Sequence, residues 1–411
     1  MIFSRIFSFF TLLFFLVITS FSLKGQSANE YYNRGIQLMA SEHYEMAIEQ
    51  FTHAIEIVPY FYEAFFERGR SNQHINRPQQ AINDFTNAIE HNPEFAEAYY
   101  QRGVSFSVLG KHDAAMADYS KAIVLNPDNV DAYLKRSELH IRNNSDNAAI
   151  TDLTKVIELG HENANVLFNR GKLFIKIHEP ELAFEDFSSA IELDPEHAEL
   201  RIERATLLKE REEFEEAARD LTVAIESGIS NQNIFRMRAN AFFYSGNFSD
   251  AIEDYTRLIN SYRQRNEETY YRRAMSYFYA EEYEPATRDF TRVIGLNRTN
   301  EEAYIYRAEA YHKLGRDSQA LVDYRIILRN NPRSVLAYSR RGIMFMETGQ
   351  YNEALQDFNE AIRLEPSAEL FFNRASLHAL MNNQRSACND LREAAELGHE
   401  EAKETYNSFC L

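Results

Sequence analysis

Glycine and proline are scarce, with fourteen and nine in 411 residues. That scarcity argues against long disordered linkers. Cysteine is scarcer still: Cys388 and Cys410 are the whole complement. They form no CxxC dithiol, so the pattern expected of a thiol redox enzyme is missing. HExxH, GxSxG, the Walker phosphate loop and GxGxxG are missing too. His161-Glu162, His178-Glu179 and His399-Glu400 each lack a second histidine at the required spacing. The remaining histidines are scattered, several at turns such as His43 and His112, and read as solvated loop residues rather than ligands. No metal, nucleophile or cofactor site is supported, and the chain reads as non-enzymatic.

Positive charge is in deficit. The formal net charge is −18, and it becomes −20 once the first 25 residues, which hold Arg5 and Lys24 and no acid, are set aside. An acidic chain repels phosphate backbones, so nucleic acid is a poor partner. The stretch from Arg257 to Arg298 holds eight arginines but also six acids. It reads as a solvated helical face.

The long apolar run is at the N-terminus. Met1 to Arg5 is short and basic, Ile6 to Leu23 is apolar apart from Ser and Thr, and polar Lys24-Gly25-Gln26-Ser27 follows. This reads as a secretory signal peptide over 1–25, cleaved after Gly25 or Ser22. The alternative is an uncleaved single-span anchor, since 18 apolar residues are near the lower limit for crossing a bilayer. No cysteine lies nearby to accept a lipid. On either reading the repeats lie outside the cytoplasm: periplasmic or secreted, with no membrane span, after cleavage, or N-terminally membrane-anchored without it.

What fills the chain is one unit, copied. An arginine recurs at Arg34, Arg68, Arg102, Arg136, Arg170, Arg204, Arg238, Arg273, Arg307, Arg341 and Arg374. The steps are 34 residues, except 35 from Arg238 to Arg273 and 33 from Arg341 to Arg374. A fixed period of this size marks a stacked array in which each unit contacts only its neighbours. The hydrophobic fraction of 45% suffices for such an elongated core. The units begin near 28, 62, 96, 130, 164, 198, 232, 267, 301, 335 and 368.

Each unit shows two apolar runs at helical spacing with a short polar break between. In the third, helix A runs from Ala98 to Leu109, Gly110-Lys111-His112-Asp113 turns, and helix B runs from Ala114 to Leu125. Asn126-Pro127 ends it, because proline cannot continue the hydrogen-bond ladder. Leu159-Gly160 and Leu397-Gly398 close units four and eleven, where glycine can take the left-handed conformation. Pro78 and Pro180 open helix B, where a missing N–H costs nothing. Gly or Ala follows the arginine in ten units, and Ser137 in the other. An alanine opens helix B, and an aromatic or Leu, such as Phe51, Phe85, Tyr119 or Leu153, follows four residues later. Small residues against large ones let antiparallel helices interdigitate.

An aspartate lies sixteen residues after the arginine in ten of the eleven units, and Gln50 takes that slot in the first. In an antiparallel hairpin, facing positions have a constant sum. The arginine therefore falls near the aspartate, as in Arg102–Asp118, Arg170–Asp186 and Arg341–Asp357. A partly buried ion pair within each repeat is expected, with the adjacent repeat also in reach. Ten equivalent pairs suit a structural role, since chemistry needs one site.

This is the residue pattern of the tetratricopeptide repeat, and the chain resembles that family over roughly 28–401. One departure stands out: the usual leucine before the small residue is arginine in every copy. The resemblance implies an all-α, right-handed α-solenoid of about eleven helix-turn-helix repeats, with helix A lining a concave face. The two-helix carboxylate clamp of some members needs a Lys/Asn/Lys/Arg set across adjacent repeats. No unit pair here carries that set, so chaperone-tail binding is not carried over.

Residues 402–411 read as the end of a C-terminal capping helix. Cys388 and Cys410 both lie eleven residues from His399, where Gly398-His399 breaks the helical pattern. Folding back there brings them alongside each other, and in an oxidising compartment a disulfide is expected. This ending also looks like the tails of exported bacterial tetratricopeptide-repeat proteins.

Binding is expected on helix A. Two residues before the arginine stand Tyr32, Phe66, Tyr100 and Phe168. Units seven and eight add Phe243, Tyr244, Tyr271, Phe278 and Tyr279, beside the single 35-residue step. Aromatics offer large contact area at little rotamer cost, which suits an extended peptide or a helix. The alternative use of the same rings is ordinary packing between repeats. The expectation is an exported scaffold that binds protein segments, of unassigned oligomeric state. The competing expectation is an envelope assembly or carbohydrate-binding factor that stacks sugars on these rings.

Overall fold

The computed structural model describes residues 28–411, so the signal-peptide segment expected at 1–25 lies outside the described residues. Every regular element among the described residues is an α-helix. The chain divides at Pro195–Glu196 into two compact arrays. In the first, the hairpins are α1 (28–40) with α2 (Tyr44–Ile57), α3 (Tyr62–His74) with α4 (Pro78–His91), α5 (Ala96–Val108) with α6 (His112–Leu125), α7 (Val130–Arg142) with α8 (Asp146–Glu158), and α9 (Ala164–Lys176) with α10 (Pro180–Leu193). In the second they are α11 (Ala198–Glu210) with α12 (Phe214–Glu226), α13 (Gln232–Tyr244) with α14 (Phe248–Asn260), α15 (Glu267–Tyr279) with α16 (Tyr283–Leu296), α17 (Glu301–Lys313) with α18 (Asp317–Asn330), α19 (Val335–Glu347) with α20 (Tyr351–Leu364), and α21 (Ala368–Leu380) with α22 (Gln384–Glu396). A last helix, α23 (Glu400–Phe409), packs on α22. Within each array, helix A of one hairpin packs on helix B of the hairpin before, as α5 does on α4 and α15 on α14.

The turn inside each hairpin has one form. In the third repeat Lys111 N–H donates to the Phe106 carbonyl at 2.9 Å and Gly110 N–H to that of Ser107 at 3.0 Å. Gly110 is left-handed, at φ 72°. These paired bonds satisfy the last carbonyls of helix A. The same slot is left-handed in all eleven repeats, although it holds glycine only at Gly110, Gly246, Gly315 and Gly349. Elsewhere Asn, Glu or His stands there, as at Asn76, Glu281 and His178. Helix A is often capped from the connection before it: Asn129 accepts from Ala132 N–H and Asn300 from Ala303 N–H. Such a cap stabilises a helix start by about 1 kcal/mol.

The hairpin core is built from the small-against-large register. A Cβ added at Gly103 would stand 2.7 Å from Tyr119, and one at Gly171 would stand 2.5 Å from Phe187. Only glycine lets the two helices come that close. The rings that fill the gap, Phe51, Phe85, Tyr119 and Phe187, are fully buried. Each such side chain contributes roughly 1.5–3 kcal/mol by leaving water.

The arginine series forms a ladder beside this core. Arg102 Nε donates to Asp118 Oδ2 at 2.8 Å and its Nη2 to Oδ1 at 2.9 Å. Arg170 meets Asp186 at 2.9 and 2.6 Å, and Arg341 meets Asp357 at 2.7 Å through both nitrogens. All ten aspartates of the series are buried. In repeat one, where Gln50 replaces the acid, Arg34 is exposed. Aromatic rings flank the guanidiniums. Tyr99 and Phe106 lie 5.5 and 5.9 Å from that of Arg102, and Phe235 and Phe242 both lie 5.6 Å from that of Arg238. An arginine can thus stand where an apolar residue would pack, because its charge is met by a carboxylate and its faces by π-systems.

The third nitrogen reaches the preceding repeat. Nη1 of Arg68, Arg102, Arg136 and Arg170 donates to the hydroxyls of Thr52, Thr86, Ser120 and Thr154 at 3.1 Å. In the second array Arg238, Arg273 and Arg307 reach Thr222, Thr256 and Thr291 likewise. Before Arg341 the equivalent position holds Arg325, a cation that cannot accept.

Cys388 on α22 is disulfide-bonded to Cys410, which follows α23, with a Cα–Cα distance of 5.7 Å. Tyr406 and Cys410 pack, with Phe371 and Phe372, on a buried cluster of Ala375, Leu391, Ala394 and Ala402.

Candidate functional site: an aromatic patch in the second array

The structure separates the expected binding aromatics into two groups. Phe66 and Phe168 are buried, at 6% and 8% exposure, which corrects their reading as groove residues. Phe66 meets Phe85 and Phe95, and Phe168 meets Phe187. Their burial makes both packing residues. Tyr32 and Tyr100 are half-buried and lie against Phe51 and Tyr119. Tyr271 is half-buried as well, and its hydroxyl donates to Glu302 at 2.9 Å.

Phe243, Tyr244, Phe278 and Tyr279 are brought together. They end helices α13 and α15, so each pair leads into the left-handed turn of its hairpin. Phe243 and Tyr279 have ring centroids 6.0 Å apart. Phe248, the first residue of α14, stacks on Tyr279 at 5.4 Å. Phe214 of the previous hairpin stacks on Tyr244 at 5.0 Å. Phe278 continues the set to Tyr283 and Tyr306 at 5.6 and 5.4 Å. The Arg272 guanidinium lies 5.7 Å from the Phe243 centroid and 5.5 Å from that of Tyr244. Burial pushes the Tyr306 hydroxyl up to about 12, so it stays a neutral donor at physiological pH. Tyr244 and Tyr279 are the outermost members, 50% and 47% exposed. Single exposed aromatics are ordinary, whereas a contiguous set with two open members is a candidate binding surface. Its chemistry is stacking and cation–π contact.

A second feature of this array is a histidine bridge that no motif in the sequence marks. His312 lies between two carboxylates, 2.6 Å from Asp317 and 2.8 Å from Glu347. Only a doubly protonated imidazole can donate to both. Burial alone would lower its pKa, but the hydrogen bonds to Asp317 and Glu347 outweigh it, and the value is raised. His312 and Glu347 line a recess of about 150 Å³ together with Glu309, Lys313, Tyr324 and Arg340. The bridge ties α17 to α19 across the one junction where Arg325 interrupts the hydroxyl contacts. A raised histidine contributes stability that is fully present below its ordinary pKa, near 6.5, and is lost as pH rises through the raised folded value. Amide-exchange protection in α19 is therefore expected to fall from pH 6 to pH 8, after correction for intrinsic rates. His312→Gln should flatten that dependence, and an unchanged profile in the variant would refute it.

Among the described residues no group of three His, Cys, Asp or Glu side chains is placed to hold a metal ion, and no helix is long and apolar enough to cross a membrane.

Compared with known proteins, the chain matches two family profiles, both described as tetratricopeptide repeat: one over 96–129 and 335–367, the other over 271–334. No curated protein sequence matches it. Among solved structures, it is similar to a tetratricopeptide repeat protein from Parabacteroides merdae, at 20% identity and a TM-score of 0.46, over 60% of this chain and 99% of that one. It is also similar to yeast Tom70, at 19% identity and a TM-score of 0.39, over 94% and 88%.

Proposed function

The chain is a tetratricopeptide-repeat protein, and from that premise we propose that it is an exported scaffold whose second array captures a segment of a partner protein on the Phe243–Tyr279 patch. The general role of such repeats is protein–protein interaction. The observation that carries the finer reading is the contiguity of rings from three successive hairpins around Arg272, with Tyr244 and Tyr279 open to solvent. Rigid aromatics flanking a cation offer stacking and cation–π contact to a partner's apolar or aromatic side chains at low entropic cost. Binding is by equilibrium association, without chemistry and without a cofactor.

An oxidising compartment suits this reading. The apolar run from Ile6 to Leu23 and a disulfide closing the last helix both support export, since disulfides persist in oxidising compartments. The test is crosslinking in the native envelope, followed by identification of captured chains. Purified wild type and Tyr244→Ser/Tyr279→Ser are then titrated against the captured segment. The double variant should bind about tenfold to a hundredfold more weakly, as befits two aromatic anchors. Equal affinity would remove the patch from the reading, and selective binding to a glycan array would replace protein by carbohydrate as the ligand.

A further inference from the structure

The arginine-rich stretch that reads as a solvated face has a direction. Arg265, Arg273, Arg288 and Arg292 all line one recess of about 550 Å³ beside repeat eight, together with Asn260, Tyr270 and Tyr277. The single carboxylate in its wall is Asp289, already held by Arg273 at 2.6 and 2.9 Å. Four guanidiniums against one carboxylate leave the lining at +3, in a protein whose net charge is −18. Among the described residues, Arg265, Arg288 and Arg292 have no carboxylate partner within ion-pair distance.

Comparison with the other repeats shows that this is particular to repeat eight. The position of Arg288 holds Thr151 in repeat four, Val322 in repeat nine and Gln356 in repeat ten. The position of Arg292 holds Lys155, Ile326 and Glu360 in those repeats. Repeat eight is the one unit with arginine at both. The equivalent recess of repeat four ends on Lys155 and Glu158 and has no such excess. Arg265 enters from the connection between α14 and α15, which lies within the one 35-residue step of the series. Arg263 in that connection is left-handed, at φ 57°. The longer connection thus adds a guanidinium to the recess lining.

Unpaired guanidiniums gathered in one recess repel one another, and a multiply charged anion relieves that repulsion while matching their planar forks. We infer that this recess is an oxyanion site for a phosphate or sulfate group, free or as an ester. It is wide enough for the group and part of what carries it. It is independent of the aromatic patch, and neither site needs the other.

The experiment titrates the full chain calorimetrically with inorganic phosphate, and separately with sulfate, at ionic strength held constant with chloride. Saturable binding is expected for wild type. It should weaken at least about tenfold in Arg288→Gln/Arg292→Gln, because two charge-assisted contacts are lost. Arg329→Gln/Arg333→Gln, an exposed pair on repeat nine and its following connection, should bind as wild type does. Thermal melting of both variants checks that they fold. Sedimentation with phosphatidylglycerol vesicles, against neutral phosphatidylcholine vesicles, identifies the source of the anion. Sedimentation lost in the first variant assigns a lipid headgroup, and phosphate binding without sedimentation assigns a soluble ester. Absence of saturable binding in both arms, or equal weakening in the control pair, overturns the site.

Discussion

Replacing Asp118 by alanine is expected to destabilise the third hairpin by about 3 kcal/mol, the scale on which a buried ion pair responds when one partner is removed. The cost arises from what is left behind. Arg102 would keep its bond to Thr86 but lose both bonds to the carboxylate, with its side chain only 18% exposed between Tyr99 and Phe106. Its hydrogen bond to Asp118 raises the guanidinium pKa, which marks the charged form as the one the fold holds. A control separates the pair from its surroundings. Arg102→Leu/Asp118→Leu removes both charges and restores the leucine usual in this family at the first position. It should lose much less than the single variant, because two apolar side chains replace a buried pair at little cost. Urea unfolding with amide exchange resolved to α5 and α6 reads both. A single-variant loss below about 0.5 kcal/mol would mean that water screens the pair.

Opening the Cys388–Cys410 disulfide is expected to release α23 while the hairpins stay folded. The last helix is ten residues long and buries Ala402 alone among its side chains. Helices shorter than about 12–15 residues are marginal by themselves. A crosslink between positions 22 apart contributes on the order of 3 kcal/mol in the chain-entropy picture. Under reductant, or in Cys388→Ser/Cys410→Ser, amides of α23 should exchange much faster while those of α19 and α20 keep their rates. Unaltered protection of α23 on reduction would show that Tyr406 and Ala402 suffice to dock it.

The repeat carried most of the architecture into view. A period of 34 with an arginine and an aspartate sixteen apart defines two antiparallel helices and nearly fixes their register. Helix starts were harder to place. Helix A of repeat three begins at Ala96 and helix B at His112, each two residues before the apolar pattern starts. The first turn of a helix needs no buried residue, so hydrophobicity does not mark it. The acceptors of the third guanidinium nitrogen, such as Thr86 and Ser120, recur visibly in the sequence. Their meaning depends on how one hairpin meets the next, which a pattern within one unit does not state. The aromatics divide for a related reason. Phe66 and Tyr244 look alike on a helix, and only the neighbour that covers the first and leaves the second open tells them apart. The arginine-rich stretch shows the same limit in charge: eight arginines and six acids cancel in a count, but only Asp289 among those acids faces the recess.

The hydroxyl-to-guanidinium contact between hairpins bears on how such a chain can grow or shrink. Seven units bring a hydroxyl socket on the second helix that meets the arginine plug on the first helix of the next. Excising residues 130–163 would set Ser120 opposite Arg170 in place of Thr154, one hydroxyl exchanged for another. A cut that removes part of a unit would misalign plug and socket at the seam. Gain and loss of whole units is thus the cheap route for this gene, and a unit that inherits Arg325 in its socket forgoes that contact with whatever unit follows it.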